Sequence, residues 1–336
     1  YELKRLGLNP LVLEKTAAVG DVWRNHYDGL RLNSGRALSR LPGSPIPRSA
    51  GSWPSRDEVV RILETFPERG GFTVKTGINI EKVEYDRLRD TWSITSHDGK
   101  KFESLAVVVA TGGAHTPVIP EWVGAETFSG EIIHSSKFKH AKTYAGKNVL
   151  VVGSGNSAAE IASRLAEHAK SVTLSVRTPP HILPKSIFGI PLVGIGLATR
   201  YLPAAWVDGL LYVLRRLFIG NLTQYGLPFP VTRVSQQFAR TQVVPILYYP
   251  FVDDIRAGRI RVVGPIRKIE GQTVHALNSV EAKPSDQQNE IALNVDVIVA
   301  GTGFRTGLTK LIQIPGITSP DDRPVVLGEQ EFSDAP

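Results

Sequence analysis

The chain has 336 residues, 42% of them hydrophobic and 21% charged, with a net charge of +7 and a pI near 9.5. That length suffices for two domains with substantial cores, and no dense Lys/Arg block argues for nucleic acid. There is no cysteine, which excludes a disulfide framework, a cysteine metal site and a redox-active cysteine pair, and no cluster suggests any other metal.

Residues 1–6 read as a helix ending at Gly7, and Leu11-Val12-Leu13 as a buried strand that delivers Glu14 at its end. A strand-end acid after a helix is the second half of a βαβ nucleotide unit, where the carboxylate accepts from ribose hydroxyls. A polar segment follows, with Gly20-Asp21-Val22-Trp23-Arg24 and a loop holding Asn33-Ser34-Gly35. Ser55 and Glu58 then have the spacing of a capping box for a helix through Leu63. Residues 80–85 and 91–96 read as paired strands, with Asp98-Gly99 as a turn. Val107-Val108-Val109-Ala110 reads as a buried strand meeting the turn Thr111-Gly112-Gly113.

The most specific signal is Asn148-Val149-Leu150-Val151-Val152-Gly153-Ser154-Gly155-Asn156-Ser157-Ala158. A β-branched strand enters a two-glycine turn and then a helix, the G-x-G-x-x-A form of the dinucleotide fingerprint in its required context. The turn brings backbone close to a pyrophosphate, and the helix N-terminus offers free N–H groups to it. The strand at 172–176 ends at Arg177, a cation suited to a ribose 2′-phosphate rather than a free hydroxyl. Residues 186–222 are rich in Leu, Ile and Gly. Their longest uncharged stretch, 187–199, falls short of the about 20 residues a membrane span needs. They are read as core helices in preference to a weak peripheral membrane contact, with an apolar wall over a substrate channel as the other reading. A helix-to-strand unit covers 253–263, and Asp296-Val297-Ile298-Val299-Ala300 is a second buried strand, running into Gly301-Thr302-Gly303.

The run Phe128-Ser129-Gly130 to His134 and Phe138, just ahead of the fingerprint, resembles the identifying sequence of the class B flavin-dependent monooxygenases. Gly20 to Arg24, the loop at 28–34, Leu183 to Ile190, Tyr225-Gly226-Leu227 and 296–304 resemble the YUCCA-type members and their bacterial relatives, over nearly the whole chain. Phe138-Lys139 departs from the Trp-Pro of Baeyer–Villiger enzymes, and Gly301 replaces the usual alanine of the second Ala-Thr-Gly turn.

The resemblance implies an α/β fold of two Rossmann-like, three-layer domains. An NADPH domain at 141–264, carrying the apolar insertion 186–222, interrupts a FAD domain at 1–140 and 265–336. It implies an enzyme that reduces FAD with NADPH, forms a C4a-(hydro)peroxyflavin with O2, and oxygenates a small N or S nucleophile or a 2-oxo acid or other carbonyl. A peroxide-releasing NADPH oxidase and a non-catalytic dinucleotide-binding module remain as alternatives. Expected cofactor contacts are Glu14, Trp23, Arg24, Thr111, Gly112, Gly153, Ser154, Gly155, Asn156, Ser157, Arg177, Thr302 and Gly303. Asn33 is the flavin-side polar residue, and His134 has a conformational role. No secretory signal is visible, and a cytoplasmic location is expected. The missing methionine suggests a fragment whose flavin turn precedes Tyr1 and whose closing strand follows 332–336. Such a polypeptide is expected to bind FAD poorly while its NADPH half folds.

Overall fold

Short apolar runs buried on both faces become parallel strands, and five of them build the main sheet. In the computed structural model, which describes residues 1–281 and 289–325, its order is Ile260–Val263, Ser171–Ser175, Asn148–Val152, Val297–Ala300, Glu131–His134. Every neighbouring pair is parallel. The fold is mixed α/β. Contacts divide the chain into two units, one of residues 1–32, 39–117 and 304 onward, the other of 33–38 and 118–303.

The second unit holds the parallel sheet. Leu150 and Ile298 join Ile269, Val274 and Val295 in one apolar cluster, with Trp122, Phe128 and Ile132 at its margin. An antiparallel sheet of Ile266–Glu270, Thr273–Leu277 and Glu290–Asn294 thereby covers one side of the parallel strands. Each such side chain contributes about 1.5–3 kcal/mol on burial. Strand alternation sends Val149 and Val151 to the opposite face. The helix Asn156–Ala166 packs on the strands Asn148–Val152 and Ser171–Ser175, burying Ala158, Ile161, Ala162 and Leu165 at helical spacing. Strands Glu131–His134 and Val297–Ala300, which the sequence reading assigned to the flavin half, lie in this sheet beside the glycine turn.

In the first unit, helix Arg56–Gly70 begins as expected: Ser55 Oγ accepts from the Glu58 N–H at 3.3 Å. It ends at Gly71, whose φ of 63° suits a left-handed cap. Strands Ile80–Asp86, Thr91–Ser96 and Lys101–Ser104 form an antiparallel meander around Val83 and Ile94.

Three elements differ from the sequence reading. Leu11–Leu13 is a strand, but it pairs only with Thr73–Lys75 and Leu11 is 44% exposed, so it is not buried. Residues 107–110 form no strand: Val107 and Val109 pack on the meander core while Val108 faces solvent, and no neighbouring strand supplies ladder partners among the described residues. Residues 186–222 do contain helices, Leu192–Ala198 and Ala204–Phe218, but one face of the longer is bare rather than core. The expected closing strand after 332–336 lies outside the described residues.

Candidate functional site: a dinucleotide turn at the sheet switch point

The strand Asn148–Val152 has its successor in sequence, Ser171–Ser175, on one side and the much later Val297–Ala300 on the other. Connections leave in opposite directions there, and the crevice beyond such strand ends is where open α/β sheets bind ligands. Gly153 occupies that position. Its φ of 137° excludes ordinary side chains, and an added Cβ would lie 2.2 Å from the Gly301 carbonyl oxygen. Gly301 is equally confined, since a Cβ there would meet Ala158 Cβ at 2.9 Å. Gly153, Ala158 and Gly301 therefore interlock, which explains the glycine that replaces alanine in the second turn.

Gly155 differs, because a Cβ on it would meet nothing within 4 Å. Its surface is open for close approach by another molecule. It is the N-cap of Asn156–Ala166, whose first turn holds no acid and no side-chain cap. The first helical bond runs from the Ala159 N–H to the Gly155 carbonyl at 3.1 Å, so the N–H groups of Asn156, Ser157 and Ala158 precede the ladder. With the helix dipole they suit an anion. Ser154 is half-buried and Ser157 exposed. The Asn156 side chain is committed elsewhere: Nδ2 donates to the Pro245 carbonyl and Oδ1 accepts from the Leu247 N–H, both at 2.9 Å. Its amide fixes the 245–247 segment, leaving only its backbone N–H for a ligand.

Arg177 stands two residues past the strand Ser171–Ser175, exposed, with no ion pair or hydrogen bond among the described residues. The second glycine turn is a clasp. Thr302 Oγ1 donates to the Val118 carbonyl, and the Gly303 carbonyl accepts from the Val118 N–H and from His134 Nε2, both at 3.0 Å. The Ser136 N–H donates to His134 Nδ1 at 3.1 Å, so the proton of the neutral ring sits on Nε2. Burial pushes the His134 pKa down.

The remaining predicted residues are dispersed. Glu14 Oε1 accepts from the Thr16 N–H at 2.8 Å and from its hydroxyl at 2.7 Å, ordering the turn after its strand. Arg24 is held between Asp21 and Glu64, the latter at 2.6 Å, and Trp23 leans on His26. Thr111 and Gly112 lie in an exposed irregular segment. Asn33 Oδ1 is buried with no hydrogen-bond partner.

Sequence reasoning missed one feature. Arg215, on the inner face of Ala204–Phe218, is 3% exposed, and its Nε and Nη2 have no hydrogen-bond partner. Its guanidinium lies 4.1 Å from the centre of the Phe229 ring, and burial lowers its pKa to about 10. His181, whose Nε2 is also buried without a partner, has its pKa pushed down by burial and then by the Arg215 charge. Helical spacing with Leu211 and Leu214 was the available signal that Arg215 faces inward.

The family model described as pyridine nucleotide-disulphide oxidoreductase matches residues 1–183. Indole-3-pyruvate monooxygenase YUCCA1 of Oryza sativa subsp. japonica is 30% identical over 312 residues, which are 92% of this chain and 74% of that protein. The chain belongs to the YUCCA-type flavin-dependent monooxygenases. Probable indole-3-pyruvate monooxygenase YUCCA9 of Arabidopsis thaliana is likewise 30% identical, over 91% of this chain and 72% of its own. The fold of this monooxygenase is shared with a flavin-containing monooxygenase from Stenotrophomonas maltophilia, at a TM-score of 0.67, 23% identity, 97% of this chain and 80% of that one. These 336 residues hold no cysteine, so the thiol pair that names the broader oxidoreductase model is not among them.

Proposed function

We propose that this flavin monooxygenase uses NADPH and FAD to place one oxygen atom of O2 on a small organic substrate. The observation that carries the reading is the glycine turn at Gly153 to Ala158, open at Gly155 and set at a topological switch point with Arg177 free beside it. These residues fit a dinucleotide bearing a 2′-phosphate. When bound, the nicotinamide supplies a hydride and the flavin supplies reduction and activation of O2.

The chain's own part is positioning. The N–H groups of Asn156 and Ser157 hold the pyrophosphate, and Gly153, Ser154 and Gly155 let the backbone approach it. Arg177 holds the 2′-phosphate, a bidentate contact open to a guanidinium. Glu14, in the first unit, retains Oε2 for the ribose hydroxyls of FAD. Asn33 would be the flavin-side polar residue, its Oδ1 being a buried acceptor without a partner. Thr302, Gly303 and His134 fix the backbone of the second turn rather than touch a ligand. Trp23, Arg24, Thr111 and Gly112 complete the first unit, where the Arg24 guanidinium neutralises two carboxylates. Residues 141–264 are read as the NADPH domain, and 1–140 with 265–336 as the FAD domain, each Rossmann-like. Among substrate classes, a 2-oxo acid is favoured over an amine or sulfide, because the buried Arg215 guanidinium lacks an anionic partner.

The test is Arg177→Glu. It should raise the KM for NADPH by about ten- to a hundred-fold, the worth of a charge-assisted contact, while leaving NADH nearly unaffected. An unchanged NADPH-to-NADH preference would remove the assignment of this turn. Stoichiometric hydrogen peroxide, with no oxygenated product from any 2-oxo acid, amine or sulfide, would replace monooxygenation by an oxidase activity.

A further inference from the structure

The helix Ala204–Phe218 has two apolar faces, and the fold uses one. Leu211 and Leu214 pack on the small core of Leu183, Leu192 and Leu247, together with Ile187 and Ile195. On the opposite side Trp206, Leu210, Val213 and Leu217 stand at i, i+4, i+7 and i+11, so they fall within about 60° of one another on a helix turning 100° per residue. Trp206 is 70% exposed and Leu217 74%, and Leu210 and Val213 are exposed as well. Tyr212 and Arg216 occupy one shoulder of this stripe. Soluble monomers seldom leave so continuous an apolar line bare.

Two further observations identify its occupant. From 186 to 250 the chain carries five arginines, at 200, 215, 216, 233 and 240, against the single carboxylate of Asp208. Asp208 is already spent on Ser235, accepting from its N–H at 3.0 Å and from its hydroxyl. Four of the five arginines are exposed, and Arg200 stacks on the Tyr201 ring at 4.6 Å. The second observation is Phe188. It sits at the tip of the hairpin Ser186–Ile187/Ile190–Pro191, 95% exposed, at a φ of 47° that bulky residues avoid. Aromatic and aliphatic side chains directed outward among cations, with almost no acid, match an anionic lipid surface.

We propose that Ala204–Phe218 docks in the plane of an anionic bilayer, inserting Trp206, Leu210, Val213 and Leu217 while Arg200 and Arg216 meet the headgroups. No helix among the described residues is long and apolar enough to cross the membrane, so the contact is interfacial. This inference stands on the exposed face alone and is independent of the cofactor assignments.

The test is sedimentation of the full chain with vesicles of phosphatidylcholine alone, or with about 30% phosphatidylglycerol added to supply surface charge. Binding should be at least several-fold stronger on the anionic vesicles and should fall as salt is raised. Leu217→Glu should reduce it at least about tenfold. Arg200→Glu and Arg216→Glu should each reduce it about fivefold or more, the factor equivalent to about 1 kcal/mol per cation at such a surface. All three side chains are exposed, so melting temperatures should stay unchanged and report an intact fold. Tryptophan emission should shift to the blue on anionic vesicles in the parent chain and not in Trp206→Phe. Absence of binding to anionic vesicles, or binding untouched by Leu217→Glu, overturns the proposal. So does self-association without lipid that Leu217→Glu abolishes while vesicle binding is absent, which would assign the stripe to a second copy.

Discussion

Replacing Arg215 by methionine tests the view that this guanidinium awaits an anion. The side chain is 3% exposed, and burial lowers its pKa to about 10. A depression of that order corresponds to about 3 kcal/mol against the charged form. Against this stands the contact with the Phe229 ring, worth roughly 0.5–2 kcal/mol. Methionine fills similar volume without the charge, so Arg215→Met should stabilise the fold by about 1–3 kcal/mol. For a unit of this size each kcal/mol moves the melting temperature by about 2–4 °C. Calorimetry at low salt reads the shift. A second arm adds a millimolar aromatic 2-oxo acid, which should raise the melting temperature of the parent chain and leave Arg215→Met unmoved. A variant that melts lower than its parent would refute the reasoning, because the guanidinium would then already be satisfied. Equal stabilisation of both proteins by the 2-oxo acid would remove Arg215 from the substrate site.

Gly301→Ala should cost about 1–3 kcal/mol by overpacking against Ala158, read as a lowered denaturant midpoint. Adding Ala158→Gly should recover most of the loss, and strictly additive effects in the double-mutant cycle would deny the interlock. His134 makes stability depend on pH. Its folded pKa lies below its unfolded value of about 6.5, so its contribution is complete above that value and disappears as pH falls through the folded pKa. His134→Gln should flatten that acid limb of a melting-temperature profile; a profile unchanged by the substitution would count against the neutral clasp on Gly303. Phe188→Asn should stabilise the hairpin by about 0.5–1 kcal/mol, because asparagine tolerates a positive φ, and a lower melting temperature would show that Phe188 is packed rather than exposed.

What the sequence disclosed was local. The strand, the two glycines and the helix at 148–166 are adjacent in the chain, and each constrains the next, so the turn was legible without tertiary knowledge. The same holds for the Ser55 cap and the paired strands at 80–96, though the third strand of that meander, Lys101–Ser104, was not read. Non-local partners were not legible. Nothing near Arg24 announces Glu64, forty residues on, which takes half of its guanidinium. Hydrophobicity at 107–110 and 186–222 signalled apolar residues but not what would cover them. The Val107 run lacks ladder partners among the described residues, and one face of Ala204–Phe218 lies bare, although both read as interior. Arg215 was hidden for the converse reason, a charge placed where pattern alone expects leucine.

The order of the parallel sheet also bears on how the protein is made. The strand Val297–Ala300 lies between Asn148–Val152 and Glu131–His134, both emerging from the ribosome long before it. At roughly 5–20 residues per second, the intervening chain takes on the order of ten to thirty seconds to synthesise. Throughout that interval the facing edges of the two earlier strands, apolar and with unpaired backbone groups, have no permanent neighbour. The turn at Gly153 is therefore synthesised well before Gly301, the residue that locks it, and its packed form has to wait for that interval to end.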